Sequence, residues 1–91
     1  MLVRWTASAA DDLKRITRRI RKDNPAAARR VAKTIFDAGN ALSSFPHQGR
    51  EGRIPGTREW VFPGWPYVLV YEVTEYAVEV LRIYHGAQDW P

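Results

Sequence analysis

The chain contains no cysteine. That excludes a disulfide scaffold, a thiolate metal site and a cysteine nucleophile. Histidine is nearly absent as well. His47 and His85 are the only two, too few for a three-histidine zinc centre. No apolar run approaches the roughly 18 residues that a membrane-spanning helix needs. Met1 to Ser8 lacks a basic segment followed by an apolar core, so it does not read as a secretory signal. A cytoplasmic protein that meets no membrane is the expectation. There is also no Gly-rich phosphate loop, no metal-ligand spacing and no Gly-x-Ser-x-Gly elbow. No cofactor is expected.

What is present is 91 residues, 45% hydrophobic and 26% charged, which fits one small globular domain over 1–91. The charge is unevenly placed. Residues 1–45 hold ten Lys or Arg against four Asp or Glu, whereas residues 46–91 hold four against six. Lys14, Arg15, Arg18, Arg19, Arg21 and Lys22 crowd into one stretch. Such a face meets nucleic acid, an acidic partner or only water.

Periodicity gives the elements. Leu2 to Trp5 alternates and reads as a strand. Ser8 reads as the N-cap of a first helix, with Asp11 and Asp12 in its first turn. Ala9, Leu13, Ile16 and Ile20 form its apolar stripe. Asn24 caps a second helix and Pro25 takes its first position. Ala28, Val31, Ile35, Ala38 and Leu42 form the second stripe, and the short link implies an antiparallel hairpin. His47 to Thr57 reads as a loop. Strands are expected at Arg58 to Phe62, Tyr67 to Val73 and Ala77 to Tyr84, with a turn at Pro63 to Pro66. The order is β-α-α-β-β-β, an α+β fold with a helical hairpin on one face of a mainly antiparallel sheet. Nothing else in the chain is left to cover the other face, so function is sought there and on the adjoining loop.

The chemistry-bearing residues lie mostly in the second half. Arg50, Arg53 and Arg58 sit on or beside the loop. Arg82, Tyr84 and His85 end the last strand, and a meander brings Arg58 to their end of the sheet. Together they form a site for a phosphodiester, with Arg forks on the non-bridging oxygens and His85 moving a proton. Each has a plainer reading. Arg82 pairs with Glu72 or Glu79 across the sheet, His85 is a hydrogen-bonded structural histidine, Tyr84 is packing, and the loop arginines are solvated. In a regular strand Arg82 and Tyr84 share a face and His85 takes the other, so the three converge only if the strand ends or bulges before His85. Glu59 is a further candidate base, on the face opposite Arg58. Trp65 is either a partner anchor or stacking ring or a fold-back over the core, and Trp90 pins the tail onto the sheet.

Several segments resemble toxins of the RelE/ParE superfamily. They are Ser8-Ala9-Ala10-Asp11-Asp12-Leu13, Asp23 to Arg29, Gly49-Arg50-Glu51-Gly52-Arg53, Gly56-Thr57-Arg58-Glu59, Pro66 to Tyr71 and Leu81 to Trp90. The resemblance implies the same fold and a bacterial type II toxin, neutralised by an acidic, partly disordered antitoxin that wraps it. Operator DNA would be met only through the antitoxin. Two targets are implied. One is the ribosome and its mRNA, cut without metal by a set matching Arg58, Arg82, Tyr84 and His85, with Arg50, Arg53 and Trp65 on the target. The other is DNA gyrase, poisoned by binding. There is no Lys after Lys33, whereas the mRNA-cutting branch carries lysines in mid-chain. A non-toxic remnant or partner-binding module of the same fold is the alternative.

Overall fold

The computed structural model describes residues 1–87 and Trp90. Its elements are β1 (Leu2–Trp5), α1 (Ala7–Arg21), α2 (Pro25–Ala41), β2 (Arg50–Glu51), β3 (Arg58–Val61), β4 (Tyr67–Val73) and β5 (Ala77–His85). The sheet runs β1-β5-β4-β3-β2, with β1 parallel to β5 and every other pairing antiparallel. The expected α+β architecture stands. Three details of the sheet differ. The loop after the helices contains the short strand β2, β3 stops one residue before Phe62, and β5 runs one residue past Tyr84 to His85.

The first helix starts earlier than Ser8 predicts. Thr6 is the N-cap and its Oγ1 accepts from Ala9 N–H at 3.1 Å. Pairing decides this. Thr6 N–H donates to Val80 carbonyl at 3.0 Å and Thr6 Oγ1–H to Leu81 carbonyl at 2.9 Å, so the end of β1 is fixed on β5 and the chain turns at once. Asp11 and Asp12 therefore lie in the second turn, not the first. The second helix starts as expected. Asn24 Oδ1 accepts from Ala27 N–H at 3.0 Å, and Pro25 occupies the first turn, where a missing N–H is harmless.

Ala9 with Ile35, Leu42 and Val31 packs on Leu69, Tyr71, Val78, Val80 and Ile83 of the sheet, and Leu13, Ile16 and Ile20 flank them. Each buried Ile or Leu contributes about 1.5–3 kcal/mol by leaving water. The sheet's other face is not left bare. Val68, Val70 and Tyr84 form a second small cluster there, flanked by Leu81 and Trp90. Trp90 does lie on the sheet, its ring stacked on Tyr84 at 5.2 Å and 13°.

Candidate functional site

The site grows from an edge that no strand covers. β1 ends where Trp5 pairs with Val80, so β5 continues from Leu81 to His85 with no strand on that side among the described residues. A bulge opens this stretch. Val70 pairs with Arg82 and Tyr71 with Val80, leaving Leu81 as the extra residue. As a result Val80 and Ile83 both reach the main core although they are three apart.

Helix α1 takes over where β1 stops. Asp12 is 2% exposed, on the helix face that carries Ala9 and Ile16. Its Oδ2 accepts from Ile83 N–H at 2.9 Å and from Arg82 Nε at 2.7 Å, while its Oδ1 accepts from Arg82 NH2 at 3.1 Å and from Arg15. One carboxylate thus caps an open strand edge and holds one guanidinium by two bonds. Burial opposes the charged form of Asp12. The bonds from Arg82, Ile83 and Arg15 outweigh it and hold the carboxyl below its usual range. Arg82 also lies with its guanidinium carbon 5.4 Å from the Trp90 ring centre. It stands at the sheet's edge and meets both faces.

Beside this joint is a cleft of about 850 Å³ lined by Asp12, Arg15, Arg19, Tyr67, Arg82 and His85, with Ile16, Ile83 and Ala87. The His85 ring meets Tyr67 edge-on at 5.8 Å, and its Nδ1 accepts from Ala87 N–H at 3.0 Å. In the neutral imidazole an accepting Nδ1 leaves the proton on Nε2. Three guanidinium groups against one carboxylate make the cleft electropositive, suited to carboxylate or phosphate oxygens.

The other face of the sheet is tightly paired. Glu59 is 2% exposed and accepts from Arg50 NH2 at 2.8 Å, Arg50 Nε at 3.2 Å and Arg53 N–H at 3.2 Å. Burial disfavours its charge, but the Arg50 guanidinium and Arg53 amide more than compensate, and its carboxyl also sits low. Arg53 NH1 donates to Trp90 carbonyl at 2.8 Å. Tyr84 lies under Trp90 with its hydroxyl buried and, among the described residues, without a hydrogen-bond partner. Burial first, then the negative charge of Glu59, raise its pKa.

The expected cluster is therefore divided. Arg82 and His85 share the cleft, while Tyr84 faces the other side. The bulge lies before Arg82, so it does not turn His85 toward Tyr84. Arg58 is level with Tyr71 and Val80, three residues along β3 from Val61, which is level with Val68 and Tyr84. The meander thus does not bring Arg58 to the end that carries Tyr84 and His85. Its NH1 donates to Gly49 carbonyl at 2.8 Å and His47 carbonyl at 3.3 Å, which fastens the loop. Arg82 pairs with Asp12 rather than Glu72 or Glu79, and Glu59 is an ion-pair partner of Arg50. Trp65 is half-buried against the main core, as in its fold-back reading.

Asp12, Arg15 and Arg19 were not among the expected site residues. A signal for Asp12 existed, since it is three residues after Ala9 and four before Ile16, a charged residue on the apolar stripe. Arg15 and Arg19 follow it at helical spacing but looked like the rest of the basic run. Among the described residues no group of three His, Asp or Glu side chains is placed to hold a metal ion. Nor, among these residues, is any helix long and apolar enough to cross a membrane.

Comparison with known proteins gives a consistent result. Residues 3–90 match the family model described as the ParE toxin of the type II toxin-antitoxin system parDE. The chain is 43% identical over 89 residues to "Putative toxin Y4kP" of Sinorhizobium fredii, covering 98% of this chain and 92% of that protein. It is 35% identical over 84 residues to toxin RelE2 of Caulobacter vibrioides, covering 92% and 93%. Among solved structures, a chain of the chromosomal ParDE toxin-antitoxin system of P. aeruginosa superposes with a TM-score of 0.85 at 26% identity, covering 93% and 95%.

Proposed function

The chain belongs to the ParE toxin family of type II toxin-antitoxin systems, and on that footing we propose that it arrests growth by binding DNA gyrase, not by cutting RNA. The observation that carries this reading is the division of the polar set. Tyr84 and His85 face opposite sides, and Arg58, Arg82 and Arg50 are each engaged within the chain. A phosphodiester cleavage site needs its acid, base and cations around one phosphate. A binding surface does not. Arg15, Arg19 and Arg82 then act as contacts for acidic groups on a protein partner, and the chain works in the cytoplasm, where gyrase is. A cognate antitoxin, acidic and partly disordered, neutralises it by lying across the basic cleft and the uncovered β5 edge.

The deciding experiment puts the purified protein into a gyrase supercoiling assay, with primer extension on mRNA from expressing cells run beside it. Blocked supercoiling, no new cuts within codons and undiminished toxicity of His85→Ala are expected. Unimpaired supercoiling with fresh cuts inside translated codons overturns the reading. That outcome belongs to the second reading, ribosome-dependent mRNA cleavage, which is supported by the shared position of Arg82 and His85 in one electropositive cleft. Pull-down from the native operon tests the antitoxin, and recovery of no small acidic partner refutes it.

A further inference from the structure

The helical hairpin carries a second basic surface that the cleft does not use. Because α1 and α2 are antiparallel, the last two turns of α1 lie beside the first turns of α2. This brings Arg18, Arg21 and Lys22 to the same end of the hairpin as Arg29 and Arg30, with Lys33 further along α2, and all six are exposed. They lie on the sides of their helices turned from the apolar stripes. Lys33 pairs with Asp37 at 2.7 Å. Among the described residues the other five have no acidic partner within ion-pair distance.

Five such cations gathered at one end of the hairpin repel one another and raise the local potential. The nature of the counter-surface follows from what the patch lacks. An acidic protein segment docks through apolar anchors as well as charge. No large apolar side chain is exposed on α1, and the one exposed on α2, Phe36, turns away to stack on Trp5 at 5.7 Å. A surface offering cations without anchors suits a phosphate backbone, where ion release alone drives binding.

We infer that the tip of the α1–α2 hairpin, formed by Arg18, Arg21, Lys22, Arg29 and Arg30, contacts the phosphate backbone of nucleic acid directly and without sequence preference. The toxin then adds its own contacts to DNA, in place of meeting it only through an antitoxin. The assignment is independent of the target of the toxin, because it uses neither the cleft nor the β5 edge.

The test is anisotropy of labelled duplex DNA of two unrelated sequences, titrated with the full chain at several salt concentrations, with a single-stranded RNA arm. Neutralising about three or four phosphates predicts a slope of log K against log salt of about −2.7 to −3.6 on duplex, hence a loss of about 40- to 150-fold between about 50 and about 200 mM salt. The RNA arm should give a shallower slope, since single strands hold fewer counterions per charge. Arg18→Gln/Lys22→Gln/Arg29→Gln should flatten the slope by about 2 to 3 and weaken low-salt binding at least about tenfold, while Arg4→Gln, on β1, changes neither. Helical circular dichroism verifies folding, and single Arg18→Gln and Arg29→Gln chains, each flattening the slope by about 1, serve if the triple variant melts early. Absence of binding at low salt, binding unmoved by the substitutions, or equal competition by poly-glutamate at matched charge overturns the inference.

Discussion

Replacing Asp12 by Asn tests whether one carboxylate joins helix to sheet. The substitution keeps size and an acceptor oxygen for Ile83 N–H. It removes the charge that Arg82 and Arg15 meet. Hydrogen bonds to a charged group contribute about 1.5–3 kcal/mol each, and fewer when the partner is solvated. The Arg82 side chain is 41% exposed and that of Arg15 64%, so water recovers much of both. A loss of about 2 kcal/mol is expected for Asn. Asp12→Ala also strands the Ile83 amide and should lose about 3–4 kcal/mol. For a domain of this size the Asn variant should melt about 8–16 °C lower at neutral pH. The effect has a sign in pH. The folded-state pKa of Asp12 lies below the 3.8 of an ordinary aspartate, so its contribution is complete above that value and fades as pH falls through the folded pKa. The gap between wild type and Asn variant must therefore close in acid. Thermal melts by circular dichroism over a pH series measure it, and an Asp12→Asn/Arg82→Gln double-mutant cycle isolates the pair. A variant melting within about 2 °C of wild type at neutral pH, or a gap that does not shrink in acid, refutes the reasoning.

Two further substitutions probe the sheet's other face and the loop. Trp90→Ala removes the ring stacked on Tyr84 and beside Arg82, so about 1–2 kcal/mol should be lost in chemical denaturation. Water then reaches the Tyr84 hydroxyl, and its raised pKa should move back toward that of free tyrosine in an ultraviolet titration. Gly49→Ala places a methyl 2.7 Å from Tyr71 Oη and 2.8 Å from Glu59 carbonyl, neither able to yield, because Tyr71 Oη also accepts from Gly49 N–H and donates to Pro46 carbonyl. Its midpoint in urea should fall by an amount worth about 1–3 kcal/mol.

Local signals carried much of the fold. The almost continuously apolar run Tyr67 to Val73 is β4 to the residue, and Asn24-Pro25 starts α2 as its chemistry demands. Where local signals competed, tertiary pairing decided. Thr6 and Ser8 can both cap a helix, and the hydrogen bonds of Thr6 to Val80 and Leu81 select it. Strand β2 has no signal of its own in a stretch of Gly and charge. It exists because Arg50 pairs with Glu59 in both backbone and side chain. The site was less legible for the same reason. Whether Arg58 meets Tyr84 depends on register, and whether Arg82 leaves its strand face depends on a bulge at Leu81 and on an open edge beyond Trp5. None of these is written in residue spacing. The charge of Asp12 on an apolar stripe was the one readable clue.

The joint that builds the cleft also determines which of its residues can be removed without cost to the fold. Asp12 and Arg82 hold β5 to α1, so their loss disturbs stability and recognition together. Arg19 lines the same cleft from one turn further along α1 than Arg15, is exposed, and has no ion-pair partner among the described residues. It is therefore the position at which recognition separates from stability. Arg19→Ala should melt within about 2 °C of wild type, as exposed substitutions do. A rim charge acts mainly on encounter, by steering the oppositely charged partner. Association with the cognate antitoxin, followed by stopped-flow, should slow several-fold at low salt. The difference should vanish above about 0.5 M salt, where the screening length falls to a few ångströms. An unchanged rate at low salt means that the partner does not enter through this cleft.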